Sequence, residues 1–477
     1  MNGQRPSPAP TSTDTPAHPW GGWPVVRPVP PWRVWVWGIA YWFALAPLTW
    51  SPRMSGNVFS RYMTIEAIVE RGTLAIERSP LLRRSGSPDI VRFHSHFYSD
   101  KPPVLPAIAS PIYAALVFAG GIRFSGPVEQ FYLSNFALTW GLVGLASSLT
   151  LVALRSMLRG VAIPPWAADL ATLAFGLASP LLTYAVTFNN HSVAAGCVAG
   201  AWAFALMEGP KSKAGRMRFA SGFLAALAAA IDLPVGALTV AGLAAIQLIR
   251  SRSGIWIYLA GAVGPLLLHS GLQSLVTGTP LPAEMYPSAF EYPGSFWMSP
   301  GGVWKETGPR WLFGLDFLVG RQGAFTVFPA IWFGLVGLAG GMMARDRSER
   351  WSAWIVAGSL VVLIWYYVWG VRRTDFAGTS FGVRHMLPIT PMVYLFGVVA
   401  LGRARRWRMV AIGLFVAAMA IGGIYAIKGM INPWSRAETR AEADPLLRAV
   451  QRLAFFQGGT FRVDFIAPQP NPGGGAR

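Results

Sequence analysis

Long apolar runs separated by short polar loops fill most of the chain from residue 32 onward. A helix needs about 20 mostly apolar residues to cross a bilayer, so each run is a candidate span. Asp232-Leu233-Pro234 interrupts two short runs, and a broken helix at membrane depth is tolerated only against protein or a water-filled cavity. The pattern predicts an all-α polytopic membrane protein with about 11–13 transmembrane helices and a large first extracytoplasmic loop. The candidate runs are 33–50, 102–122, 131–154, 164–186, 192–207, 219–231, 235–249, 255–276, 323–344, 353–370, 385–401 and 409–427.

Composition excludes a water-soluble globular enzyme. Only 13% of the 477 residues are charged, whereas a soluble domain has about 25%. The net charge of +19 could suggest nucleic acid, but the cations fall in short clusters between the apolar runs, as in a membrane protein anchored by basic loops. The 21 Trp residues fit belts at the membrane interface. We therefore expect membrane lipids, and no nucleic acid, as partners.

Orientation follows from the basic loops, which favour the cytoplasm. This rule places the N-terminus in the cytoplasm and the segments 51–101, 187–191, 277–322, 371–384 and the tail after Lys428 outside. Run 102–122 does not fit, because a full crossing there would put Arg155 and Arg159 outside. Either run 102–122 returns to the side of the membrane on which it begins, or the chain has one more crossing than these runs indicate. The basic clusters are Lys211, Lys213, Arg216 and Arg218; Arg250 and Arg252; Arg345, Arg347 and Arg350; and Arg403, Arg405, Arg406 and Arg408.

The chain divides into a tail, a core and a second tail. Residues 1–31 are polar and rich in Pro, Ser and Thr, which predicts a disordered cytoplasmic tail. The core is 32–430, with loops 51–101 and 277–322 outside, and 431–477 forms an extracytoplasmic tail with a low-complexity, disordered end. Within the first loop we expect a helix over 57–71 that stops at Gly72, a short strand over 93–98 and a helix that begins at Pro102-Pro103.

The first loop holds the densest group of ionisable residues. Asp89, His94, His96, Asp100 and Lys101 lie within 13 residues at the rim of a membrane helix. A lysine at a helix N-terminus is a compact point charge suited to phosphate, and Asp100 could act as a base or merely neutralise it. The alternative is an interfacial loop with charges that reach the lipid headgroups.

Three further groups could face the same pocket. Asn57, Arg61 and Glu66 lie on the loop helix, Asn189-Asn190-His191 and Asp232 lie at the ends of spans, and Arg384-His385 follows the glycine-containing stretch 378–382. Ionisable groups at membrane depth are candidates for function, and an arginine there could bind phosphate. Helix capping for His191 and interfacial anchoring for Arg384 are the structural alternatives.

Several kinds of site are missing from the sequence. It has no GxxxxGK[ST] run for an ATP-driven pump, no HExxH and no paired CxxC, and its single cysteine, Cys197, allows no disulfide within the chain. His94 and His96 could contact a metal, but two histidines without a third ligand are weak support for one. No metal ligands are assigned, and a requirement for a divalent cation is left open.

The residues of the first loop resemble a known family. Tyr98-Ser99-Asp100-Lys101-Pro102-Pro103 resembles the (Asp/Glu)-Lys-Pro element of the C-type glycosyltransferases, which use polyprenyl-phosphate sugars and include protein mannosyltransferases and the aminoarabinose transferase of lipid A. Asn57-x-x-Ser60-Arg61 and the stretches 70–76 and 382–388 look like an uncharacterised bacterial branch of this superfamily. The resemblance covers about 33–425.

This resemblance implies an inverting transfer, on the outer face of the inner (plasma) membrane, from a polyprenyl-phosphate sugar to a lipid, glycan or protein acceptor. A carboxylate would act as base, and Lys101 matches the family's phosphate-contacting lysine. The family usually carries an acidic residue soon after the first span, but 51–65 contains none and Asn57 stands near that place. The base is then Asp100, Asp89 or Glu66, of which we favour Asp100. The expected substrate-binding residues are Lys101, Arg61, Asn57, His94, Tyr98, His191, Arg384 and His385.

Two other functions compete with this one. A transporter or flippase for a lipid-linked or anionic solute would use the break at Asp232 and intramembrane polar groups. The unequal halves of the chain and the lack of a visible internal repeat count against it. A non-catalytic scaffold is supported only by Asn57 in place of the acid.

Overall fold

The fold is that of a computed structural model, which describes residues 31–85, 89–160, 163–206, 211–298, 310–320, 322–370, 380–404 and 406–434. The predicted N-terminal tail up to residue 30, and the predicted C-terminal tail after Trp434, lie outside the described residues. So do 299–309 of the second large loop and 371–379 before Arg384.

The described chain is helical apart from one β-hairpin, which confirms the predicted fold class. The helices are α1 Pro31–Thr49, α2 Gly56–Glu66, α3 Pro80–Ser85, α4 Val104–Gly120, α5 Val128–Leu138, α6 Leu145–Met157, α7 Pro165–Ala178, α8 Pro180–Ala185, α9 Asn190–Leu206, α10 Lys211–Ile231, α11 Leu233–Arg250, α12 Gly254–Thr277, α13 Arg310–Val319, α14 Ala324–Val327, α15 Ile331–Met342, α16 Arg347–Trp365, α17 Thr390–Arg403 and α18 Arg408–Ile431. The hairpin consists of β1 Ile90–Phe93 and β2 His96–Ser99.

Seven helical segments of the described chain are long and apolar enough to cross a membrane, or eight if the bent pair 313–327 and 331–342 is one span. The other predicted runs form shorter or broken elements, namely α1, α4, α7 with α8, and α9. Large apolar side chains such as Leu267 and Leu275 are 67% and 70% exposed. Apolar surface of this kind is suited to lipid contact. The chain is a multi-pass membrane protein, and the seven segments are 128–157, 213–231, 233–250, 254–277, 347–370, 384–403 and 408–431.

Glycines allow α15 and α17 to pack backbone against backbone. A methyl group at Gly337 would overlap the carbonyl group of Phe396, and one at Gly334 would meet the carbonyl oxygen of Val393 at 2.5 Å. Small residues permit such close approach in membranes, where helices associate by packing rather than by exclusion from water. This contact sets the position of α17, which begins directly after the Arg384–Ile389 3₁₀ turn.

The buried carboxylates of Glu349, at the other end of α17, and of Asp169 are paired with arginines. Arg403 donates two hydrogen bonds to the carboxylate of Glu349 at 2.6 and 2.7 Å. The Asp169 carboxylate on α7 likewise forms ion pairs with Arg155 at 2.6 Å and with Arg33 at 2.7 Å. These contacts join α1, α6 and α7. An unpaired carboxylate in these positions would be costly, so these three ion pairs belong to the framework.

Helix α4 stays beside the first loop at both of its ends. Asp100 and Lys101 lie just before it, and Arg123 just after it donates to Glu70 of the first loop at 2.7 Å. Tyr113 on α4 also donates to Glu70, at 2.7 Å. With 17 residues, α4 is shorter than the seven candidate spans. These contacts favour the alternative in which run 102–122 returns to the same side.

The first loop follows its predicted order with one correction. Helix α2 continues as a π-helical turn, Ala67–Arg71, and ends at Gly72 with φ of 65°. The single strand expected over 93–98 is wrong, because His94 and Ser95 have φ of 48° and 71° and form a tight turn between β1 and β2. Two consecutive positive φ angles match the twist of a two-residue hairpin. The apolar and polar alternation therefore belongs to two short strands.

Candidate functional site

The candidate site consists of two groups of side chains. The carboxylate–lysine cluster comprises Asp89, Asp100, Lys101 and Glu284. The arginine–histidine cluster comprises Arg61, His191, Asp232, Arg384 and His385. The first lies at the open end of the hairpin, and the second lies where the first loop meets the starts of α9 and α11 and the turn before α17.

The hairpin register builds the carboxylate–lysine cluster. Ile90 pairs with Ser99, so Asp89 and Asp100 lie side by side at the open end of the hairpin, and the Asp100 N–H donates to the Asp89 carbonyl at 3.3 Å. Lys101 Nζ lies 2.7 Å from Asp100 Oδ2, 3.5 Å from Asp89 Oδ1 and 3.8 Å from Glu284 Oε1. One ammonium group is therefore shared by three carboxylates.

Burial controls the charge of Asp100. It raises the pKa of this carboxyl group to about 7; the adjacent ammonium group of Lys101 opposes the shift, and Asp89 and Glu284 add to it. Asp100 Oδ1 is buried without a hydrogen-bond partner among the described residues. Burial lowers the pKa of Lys101, but the three carboxylates outweigh it and the net direction is upward. A free carboxylate oxygen with a pKa near neutrality is suited to accept a proton.

Arg61 on α2 is held by neutral oxygens. Its guanidinium group donates to the Asn57 carbonyl at 2.9 Å and to Asn190 Oδ1 at 2.7 Å. Only 3% of Arg61 is exposed, and burial together with Arg384 lowers its pKa to about 10. The opposing effect of Asp100, Asp89 and Glu284 connects the two clusters electrostatically.

Arg384 is also buried, and it has no counter-ion among the described residues. It is 7% exposed, and its Nε has no hydrogen-bond partner among the described residues. Its guanidinium carbon lies 5.3 Å from the ring centre of Trp434, a cation–π distance. Trp434 is fixed in turn by hydrogen bonds to the Arg53 carbonyl and to Thr187 Oγ1.

Three consecutive residues at the start of α9 have separate roles. Asn189 Oδ1 accepts from the Ser192 N–H at 2.9 Å and caps the helix. Asn190 Oδ1 accepts a hydrogen bond from Arg61, and His191 Nδ1 lies 2.5 Å from Asp232 Oδ2. The side chain of Asp232 makes no capping bond to α11 and is engaged by the histidine instead.

An aromatic column lies beside this pair. The rings of His191 and His385 meet edge to face with centroids 4.8 Å apart, and His385 stacks on Tyr367 at 4.6 Å. His385 is half-buried, whereas His191 is 4% exposed. The column fixes the orientation of both imidazole rings.

Three predicted site residues lie apart from both clusters. Glu66 is buried and forms a two-bond ion pair with Arg71. His94 is exposed in the hairpin turn, and Tyr98 packs in a small apolar group with Val91 and Phe290. Glu284 and Tyr367 were not singled out from the sequence. Glu284 is a lone acid 183 residues after Lys101, and no spacing pattern indicates it.

The described residues contain no group of three or more His, Cys, Asp and Glu side chains arranged to hold a metal ion. The three carboxylates of the carboxylate–lysine cluster converge on Lys101. A positive charge is thus already present among them.

Comparison with solved structures finds an oligosaccharyltransferase and ArnT among the similar chains. The apo oligosaccharyltransferase of Archaeoglobus fulgidus matches 88% of this chain with 13% identity and a TM-score of 0.44. The chain spans 60% of the length of that protein. ArnT from Cupriavidus metallidurans, bound to undecaprenyl phosphate, matches 83% of this chain and 74% of its own, with 16% identity and a TM-score of 0.45. No protein-family profile and no curated protein sequence matches this chain.

Proposed function

We propose that this protein is a membrane glycosyltransferase that moves a sugar from a polyprenyl-phosphate donor to an envelope lipid, glycan or protein acceptor. The transfer takes place with inversion on the extracytoplasmic face of the inner membrane. The donor phosphate lies between Arg61 and Arg384, close to Lys101. Asp100 serves as the carboxylate base.

The observation that carries this proposal is the state of the two arginines. Arg61 and Arg384 are both buried, and neither forms an ion pair within the described part of the chain. A buried cation without a counter-ion is costly, by several kcal/mol. Guanidinium groups bind phosphate through paired, charge-assisted hydrogen bonds. An anionic phosphate ligand would supply the missing charge.

The reaction uses the free oxygen of Asp100. An acceptor hydroxyl oxygen attacks the anomeric carbon and its proton passes to Asp100 Oδ1. The bond from the anomeric carbon to the phosphate oxygen breaks, and its electron pair stays with the polyprenyl phosphate. The extra negative charge on this leaving group is stabilised by Arg61 and Arg384, an electrostatic contribution to the rate.

A transporter or flippase is the second candidate, because the His191–Asp232 pair is buried at the junction of two spans. A transporter needs polar groups that serve both sides of the membrane. Here the buried Glu349 at the opposite end of α17 is neutralised by the more exposed Arg403. This arrangement favours a site open to one face, and hence an enzyme.

The test uses purified protein in nanodiscs with undecaprenyl-phosphate-linked glucose, mannose, galactose and arabinose. Binding is measured by displacement, and turnover by release of undecaprenyl phosphate. We expect Asp100→Asn to bind a donor without turning it over. Arg384→Gln and Lys101→Ala should weaken binding about tenfold or more, the size expected for loss of a charge-assisted hydrogen bond.

Arg123→Gln is the matched control, because Arg123 is 53% exposed and pairs with Glu70 away from both clusters. It should bind and turn over the donor as the wild type does. The proposal is wrong if no donor binds to the wild type, or if Arg384→Gln is indistinguishable from Arg123→Gln. Passage of the donor across a bilayer without release of undecaprenyl phosphate would support the transporter instead.

A further inference from the structure

The proton on the His191 ring can be assigned from its partner. Nδ1 lies 2.5 Å from Asp232 Oδ2. A carboxylate only accepts hydrogen bonds, so Nδ1 carries the hydrogen and Nε2 is left with a lone pair. Asp232 precedes α11, where an aspartate normally caps the helix, yet its side chain makes no capping bond. Its contact with the ring therefore fixes the tautomer of His191.

The surrounding charges keep Nε2 an acceptor. Arg61 donates to Asn190, the neighbour of His191, at 2.7 Å. Arg384 is the neighbour of His385, whose ring meets that of His191. The Asp232 carboxylate favours a second proton on the imidazole, but burial of the ring and the two positive charges nearby oppose it. Nε2 consequently needs a ligand that donates an O–H or N–H, and a phosphate oxygen cannot be that ligand.

The position beside the arginines indicates which hydroxyl this is. If the phosphate lies between Arg61 and Arg384, the sugar attached to it begins beside His191. The anomeric carbon carries the phosphate, and the sugar hydroxyl closest to that bond is on the next ring carbon, C2. The column of His191, His385 and Tyr367 holds the imidazole in a single orientation.

We propose that His191, fixed by Asp232, accepts a hydrogen bond from the 2-hydroxyl group of the donor sugar. The site therefore selects sugars with a free hydroxyl at C2 over 2-deoxy sugars. This inference rests on the proposed function and adds the class of sugar that the site takes. A site built to hydrogen-bond a hydroxyl discriminates strongly against the analogue that lacks it.

The test compares binding of undecaprenyl-phosphate-linked glucose, mannose and their common 2-deoxy form. Glucose and mannose differ only at C2, so one 2-deoxy donor is the reference for both. We expect the preferred epimer to bind the wild type about tenfold more tightly than the 2-deoxy donor, the loss typical of one buried hydrogen bond. In His191→Phe and Asp232→Asn the preference should fall to about one, through weaker binding of the hydroxyl donor alone.

His269→Phe is the matched control. His269 on α12 is also a buried histidine, and its Nδ1 contacts the Ala230 carbonyl at 3.1 Å, outside both clusters. It should retain the wild-type preference. Equal binding of all three donors to the wild type would overturn this inference and leave the proposed function standing. So would an equal loss for all donors in His191→Phe, which would indicate a structural role. Failure of every donor to bind the wild type would contradict the proposed function itself.

Discussion

Buried charges are handled in two opposite ways in this molecule. Glu349 and Asp169 are matched by arginines at hydrogen-bond distance. Arg61 and Arg384 are also buried, but among the described residues they contact only neutral oxygens or an aromatic ring. Because the cost of burying an ion is the same at both ends of the bundle, the difference separates framework charges from charges held ready for a ligand.

Asp100 gives the proposed reaction a defined pH dependence. Its pKa is raised to about 7 by burial and by Asp89 and Glu284, against the effect of Lys101. A base works in its ionised form, so turnover should fall as the pH decreases through about 7, and level off above it. Lys101 stays charged over this range because its pKa is raised. The measurement is release of undecaprenyl phosphate between about pH 5.5 and 9.

Arg123→Gln should keep this acid limb, whereas any turnover left in Asp100→Asn should not change with pH. An unchanged limb in Asp100→Asn would assign it to another group.

Asp100 and Lys101 could be predicted from the sequence because they are adjacent at the start of a helix. The His191–Asp232 contact could not, since the two residues are 41 positions apart and only the packing of α9 against α10 and α11 joins them.

Glycine determines how closely α15 packs against α17. Gly337 and Gly340 lie one turn apart on α15, but only Gly337 faces α17. A methyl group at Gly337 would overlap the Phe396 carbonyl, whereas nothing lies within 4 Å of one at Gly340. The apolar run 323–344 predicted a helix here, but periodicity alone could not show which glycine lies in the contact.

The pair provides a matched test of this packing. Gly337→Val should push α15 from α17 and destabilise the protein by about 1–3 kcal/mol or more, the cost of overpacking a tight contact. Gly340→Val should change stability little. Thermal unfolding in detergent measures both variants, and donor binding reports whether Arg384, just before α17, has moved. Equal unfolding temperatures for the two variants would show that the contact does not support the fold.

At the scale of the whole molecule, the membrane side predicted for the basic loops depends on whether α4 crosses the membrane. The sequence placed Arg155 and Arg159 in the cytoplasm but could not decide whether run 102–122 crosses, since an apolar run of this length fits a span and a helix that returns. The decisive contacts, from Arg123 and Tyr113 to Glu70, join residues far apart in the chain. With α4 beside the first loop, we predict that the candidate span 128–157 begins on the side of that loop and ends on the other.

Cysteine labelling tests this arrangement directly. Cys197 is the only cysteine and is buried, so Cys197→Ala provides a background without reactive thiols. In that background Ser95→Cys, in the hairpin turn, and Ser125→Cys, after α4, should both react in intact cells with a maleimide that does not cross membranes. Ser253→Cys, before α12, should react only after the cells are opened, because the basic residues Arg250 and Arg252 predict a cytoplasmic loop. All three serines lie in exposed positions. Labelling of Ser95→Cys without Ser125→Cys would show that α4 crosses the membrane, and would invert the side assigned to every later loop.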